Sequence, residues 1–218
     1  MIPLRDVIPS RTVPFLTVTI IILNALAWFY ELGLPREDLP VFLQQFGVVP
    51  AYFAPPTLIS SMFLHGSWSH VLGNMWYLWI FGDNVEDRMG HFRFLVFYLL
   101  CGIVAAFGQI LIDPTSTLPT IGASGAIAGV MGAYFVLYPQ SRVLTLIPLI
   151  VFWEIVELPA IFLLGFWFLM QLFSAGAIAA TANSQAGGVA FMAHVAGFVT
   201  GLVGVFIFRK RTPDTRWI

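Results

Sequence analysis

Three histidines, one serine and one asparagine supply most of the chemistry this sequence could perform. His70 and Asn74 are four residues apart, which on a helix puts both on one face. Both can donate hydrogen bonds toward one point. They can also simply bond neighbouring helices, as polar residues in bundles do. Ser124 stands in Gly122-Ala123-Ser124-Gly125, ahead of a run of small residues through Ala126, Ala128, Gly129, Gly132 and Ala133. In the first turn of a helix, its amide and its neighbours' amides lack intrahelical partners and sit at the positive end of the dipole. That would set an anion-stabilising site beside a hydroxyl nucleophile. Taken singly, the serine also reads as a cap or a packing residue. His194 is followed at three, seven and ten residues by Gly197, Gly201 and Gly204. This stripe lets its helix press against a second glycine-lined helix, and the one after Ser124 is the obvious partner. An imidazole base would then reach a serine hydroxyl. Alone, His194 reads as a buried histidine making one interhelical bond.

These side chains matter because their surroundings are so apolar. The chain has 218 residues, 59% of them hydrophobic and 10% charged, against roughly 25% charged in an ordinary soluble domain. That excludes a soluble globular protein and a disordered tail. A net charge of -1 offers no basic field for phosphate, so nucleic acid is excluded as a partner. A lipid bilayer remains. A spanning helix needs about 20 apolar residues, and the charge-poor stretches place six spans at about 13–32, 68–85, 92–112, 122–138, 159–179 and 189–208. The expectation is an all-α polytopic membrane protein forming one domain over residues 1–218.

Between the spans, residues 33–64 are broken by Pro35, Pro40, Pro50, Pro55 and Pro56. They read as a long loop with amphipathic pieces lying at or dipping into the interface. Residues 143–158 are apolar but interrupted by Pro148, Glu154 and Glu157, and read as a half-immersed loop. Residues 181–188 read as polar and flexible. The first apolar stretch lacks a small-residue cleavage site, which makes it a retained helix rather than a signal peptide. With both termini in the cytoplasm, Arg5, Arg11, Arg88, Arg93, Arg142, Arg209, Lys210, Arg211 and Arg216 lie inside and only Arg36 outside. Lys and Arg accumulate on the cytoplasmic side, so this split supports an even number of spans. The lone Cys101 cannot form an intrachain disulfide.

In hydrocarbon, strongly polar side chains are costly and mark functional sites. His65, His70, Asn74, Ser124 and His194 are the foremost, with Asn24, Gln109 and Gln171 as weaker members. No Asp or Glu falls near the middle of a span, which argues against a paired-aspartate protease and a carboxylate proton relay. HExxH is absent, against a zinc protease. His91 lies at the opposite end of the membrane from the other three histidines, so no metal site is expected. No internal repeat supports an inverted-repeat transporter.

The sequence HGSWSHVLGN at residues 65–74 resembles the HxxxxHxxxN signature of the rhomboid intramembrane serine proteases. GASG at 122–125 resembles their GxSG motif, and AHVAG at 193–197 is similar to AHxxG. Glu86 followed by Gly90 also fits. The resemblance covers nearly all of residues 13–208. It implies a six-transmembrane-helix rhomboid-like bundle with a long, partly membrane-embedded loop between helices 1 and 2. It implies a serine endopeptidase with Ser124 as nucleophile and His194 as general base and acid. His70, Asn74 and the Ser124 amide would form the oxyanion hole, supported by His65, Gly122, Gly125 and Gly197. No cofactor is implied; the partners would be transmembrane protein substrates, and the location the plasma membrane of a prokaryote. A noncatalytic rhomboid-like protein that binds membrane clients is the alternative. Two departures stand out: Ala128 occupies the place where some rhomboids carry a tyrosine that stacks on the histidine, and Pro56-Thr57 the place of a Trp-Arg pair.

Overall fold

The computed structural model describes residues 1–148, 153–181 and 190–210. Six long helices dominate it: α1 (Phe15–Gly33), α4 (Trp68–Met89), α5 (His91–Ile112), α6 (Ser124–Leu137), α7 (Ala160–Thr181) and α8 (Phe191–Phe208). By length and composition α1, α5, α7 (over Ala160–Ala177) and α8 can cross a membrane. At 14 residues, α6 is too short to do so alone. α4 carries Asp83, Glu86, Asp87 and Arg88 in its last two turns. The residues expected to be polar and flexible at 182–188, with Arg211 and Arg216, lie outside the described residues.

The expectation of an all-α fold is corrected. β1 (Ile2–Asp6), β2 (Arg142–Pro148) and β3 (Trp153–Pro159) form an antiparallel sheet in the order β1-β2-β3. Of residues 143–158, expected as a half-immersed loop, the described ones thus belong to a strand pair, with Arg142 opposite Pro159 and Pro148 opposite Trp153. Val143 and Thr145 are buried while Leu144 between them is partly exposed, the two-residue period of a strand. β1 adds itself to the other edge, Ile2 opposite Leu146 and Asp6 opposite Val143. Side chains lock it in place. Asp6 accepts hydrogen bonds from Tyr134 Oη at 2.6 Å and Asn84 Nδ2 at 3.0 Å, and the Pro3 carbonyl accepts from Trp76 Nε1.

At the same end, Glu86 joins three helices. Its carboxylate accepts from the amides of Leu16 and Thr17 and from the Thr17 hydroxyl, and contacts His91 Nδ1 at 2.5 Å. The amides of a first helical turn are orphan donors at a positive dipole end, so a buried carboxylate belongs there. Just beyond, Gly90 at φ +80° separates α4 from α5, a backbone angle that favours glycine.

The interior of the bundle is built on α6. A Cβ on Gly197 or Gly201 of α8 would overlap the carbonyl oxygens of Gly125 and Gly129. One on Gly129 would overlap Cys101 of α5. α6 and α8 therefore touch backbone to backbone, and Val130, Ala133 and Tyr134 are fully buried around the contact.

Residues 34–67 contain α2 (Asp38–Phe46), α3 (Thr57–Ser60) and short 3-10 turns at Pro50–Tyr52 and Ser61–Phe63. The segment is tied to the approach to α6. Val48 and Thr120 exchange two backbone hydrogen bonds, and the Gly122 amide donates to the Ser61 carbonyl at 2.8 Å.

Candidate active site

Ser124 is the first residue of α6, so the hydroxyl projects from a turn whose leading amides have no helical acceptor. Opposite it on α8, His194 Nε2 lies 2.8 Å from Ser124 Oγ. The glycine contacts create this distance, because two ordinary helices pack 8–10 Å apart and the pair Gly125/Gly197 removes the side chains that would hold them there. On its other side the imidazole Nδ1 lies 2.8 Å from Oε1 of Gln171, on α7. An amide oxygen only accepts, so Nδ1 carries the proton and Nε2 is left to receive one. The ring of Trp167 lies 5.8 Å from that of His194 at 36°. Ala128 is buried and carries no ring.

α4 brings up a second group. Ser67 caps this helix by accepting from the His70 amide, which fixes its first turn. His70 Nε2 then lies against Gly122: a Cβ there would come within 2.6 Å of Nε2 and 3.6 Å of Asn74 Nδ2. Gly122 also has φ +117°, so space and backbone angle both demand glycine. His70 and Asn74 thus stand next to the residue two before Ser124, a helical turn apart on one face. Both carry N–H groups that can serve an oxyanion.

His65 is not at the reacting centre. It stands behind it, with Nε2 at 3.0 Å from Asn74 Nδ2 and its ring edge-on to His70 at 5.0 Å between centroids. One amide hydrogen of Asn74 goes to His65 and the other remains available. Burial pushes the His65 imidazole down to about 4, and His70 nearby pushes it the same way. The His65 backbone amide donates to both carboxylate oxygens of Glu31, at 3.2 and 3.3 Å. Glu31 is 3% exposed. Sequence reading passed over it because it sits at the end of α1, where a carboxylate ordinarily faces water.

His91 is at the far end with Glu86, apart from the other three histidines. Among the described residues no group of three or more His, Cys, Asp or Glu could hold a metal ion. Asn24 donates to the Ile20 carbonyl of its own helix, away from the site. A small cavity opens beside Ser124, lined by Ser61, Met62, Gly102, Ala105, Gly122 and Ala193.

The rhomboid domain matches residues 55–211, which include Ser124, His194, His70 and Asn74. The chain belongs to the rhomboid family. Rhomboid-like protein 11, chloroplastic, of Arabidopsis thaliana is 28% identical over 198 residues, covering 86% of this chain and 66% of its own length. YdcA of Bacillus subtilis (strain 168), named as a candidate rhomboid protease, is 35% identical over 77 residues, 35% of this chain and 38% of that one. Rhomboid protein 1, mitochondrial, of Saccharomyces cerevisiae is 30% identical over 92 residues, covering 40% and 27%. The chain thus spans less than two thirds of the length of these rhomboid relatives. Two of the names give organelles and the third relative is bacterial, so the names single out no one membrane; a membrane protein is what the family and the four apolar helices establish.

Proposed function

We propose that this rhomboid is an intramembrane serine protease that hydrolyses peptide bonds in or beside the transmembrane segments of other membrane proteins. One observation carries the reading: the 2.8 Å contact between Ser124 Oγ and His194 Nε2, with the accepting nitrogen turned to the hydroxyl. His194 takes the Ser124 proton as Oγ attacks the carbonyl carbon of the scissile bond. The carbonyl oxygen becomes an oxyanion, which accepts hydrogen bonds from His70, Asn74 and the Ser124 amide. As the intermediate collapses, the imidazolium passes its proton to the leaving amine and the C–N bond breaks, leaving an ester on Ser124. Water, deprotonated by His194, attacks that ester and releases the acid, restoring Ser124 and neutral His194.

Hydrolysis inside a membrane needs water and an extended substrate backbone. The polar side chains of α4, α6 and α8 supply a protein-lined place where both are tolerated. We read α4 and α6 as spanning together with the four apolar helices, giving six spans in a single domain with both termini in the cytoplasm.

The test is cleavage of a membrane-anchored reporter by the purified protein in proteoliposomes, combined with labelling by a fluorophosphonate. Cleavage and labelling are expected, with both abolished in Ser124→Ala and labelling abolished in His194→Ala. Cleavage that persists in either variant overturns the pairing. Absence of both in the wild type favours a noncatalytic protein that binds membrane clients.

A further inference from the structure

Resting on the reading of Ser124 and His194 as the catalytic pair, we propose that Gln171 is a positioning residue: its side-chain oxygen holds His194 in the tautomer that can accept the serine proton. The geometry is a three-member line across three helices. Ser124 Oγ of α6 lies 2.8 Å from Nε2, and Oε1 of Gln171 on α7 lies 2.8 Å from Nδ1. An imidazole protonated on Nε2 would point a hydrogen at the hydroxyl and could take none from it. Only an acceptor on the Nδ1 side selects against that form, and Gln171 is the acceptor observed there.

The surroundings fit a residue kept for this contact. Over Ala160–Ala177, α7 is apolar except for Gln171 and Ser174. An amide in such a helix is costly unless it is bonded. Trp167, one turn earlier on the same face, places its ring 5.8 Å from His194 and 6.1 Å from Phe198. Phe168 stacks on Phe198 at 4.6 Å. Residues 167 and 171 of α7 thus face residues 194 and 198 of α8, so aromatic packing holds the amide in register with the imidazole. A neutral amide does this without placing a carboxylate in the membrane, where an ionised group is expensive. α7 and α8 carry no titratable side chain besides His194 over the described side chains.

Three variants in the full chain separate positioning from structure. Gln171→Asn keeps the amide but withdraws it by one methylene, and Gln171→Met keeps the length but removes the acceptor. Both are expected to lower kcat about tenfold or more with KM within about twofold, because general-base catalysis is lost while substrate contacts remain. Gln171→Glu keeps an acceptor in place and is expected to restore kcat to within a few fold of wild type. In protein labelled with 15N-histidine, NMR should report His194 protonated on Nδ1 in the wild type and a mixture of tautomers in Gln171→Asn. Unchanged kcat in both Asn and Met variants, or an unchanged His194 tautomer in Gln171→Asn, overturns the proposal. The NMR readout does not depend on turnover, so it decides the role of Gln171 even if the wild type proves inactive and the protease reading fails.

Discussion

Gly197 of α8 lies so close to Gly125 of α6 that a Cβ on the former would collide with the latter's carbonyl oxygen. The two residues flank the Ser124–His194 contact: Gly125 follows the serine directly, and Gly197 comes three residues after the histidine. The hydrogen bond at the centre of the site is therefore as much a property of the backbones as of the two side chains.

Gly197→Ala is accordingly expected to push α6 and α8 apart. Overpacking a rigid contact costs about 1–3 kcal/mol, and the separation also breaks the Ser124–His194 bond. The melting temperature in detergent should fall, and fluorophosphonate labelling should be lost even where folded protein remains. Gly176→Ala is the control, because nothing lies within 4 Å of a Cβ there. It should be neutral, or stabilising by up to about 1 kcal/mol through helix propensity.

Asn74→Ala removes one donor from the proposed oxyanion site. Loss of such a donor typically lowers kcat by about 10²–10³-fold. KM should change little, since the interaction strengthens only as charge develops. Steady-state kinetics on a membrane reporter reads both. A fall in affinity with kcat preserved would instead make Asn74 a substrate-binding or purely structural group.

Glu31 supports His65 from behind, and its two substitutions should diverge. Glu31→Gln keeps an oxygen for the His65 amide and should be nearly silent. Glu31→Ala leaves a buried amide without an acceptor, worth about 1–3 kcal/mol. Thermal unfolding of the two variants side by side tests this, and equal melting temperatures would refute the supporting role.

Acid should weaken the fold through His65. Its folded value of about 4 lies below the ordinary 6.5, so between those values the unfolded chain binds the proton that the folded chain refuses. Stability is therefore complete above about 6.5 and is lost as pH falls toward 4. His65→Gln removes this titration. Melting temperatures measured from pH 7.5 to 4.5 should fall less steeply in the variant than in the wild type.

Apolar length located α1, α5, α7 and α8, because a stretch that must replace water with lipid cannot hide its composition. The glycine stripe of α8 and the small residues of α6 foretold their close contact, since only glycine admits a neighbouring backbone at that distance. Three features escaped. The sheet did, because β1 meets β2 across more than 130 residues, and nothing local to IPLRD announces a partner so far along the chain. The burial of Glu31 did, because it depends on residues 61–65 folding back over the end of α1. Gln171 stood out as polar in an apolar helix, but composition alone could not say which neighbour it faces; the depth shared with His194 appears only once α7 and α8 are packed.

The sheet also sets an order of events during synthesis. β1 is made before its partner residues 143–146, which follow only after α1, α4, α5 and α6. At roughly 5–20 residues per second, the strand waits on the order of 10 s with its hydrogen-bonding edge unfilled. Closure of that edge therefore reports that α1, α4, α5 and α6 have already been synthesised, and anything that occupies β1 early would block the sheet from forming at that end of the bundle.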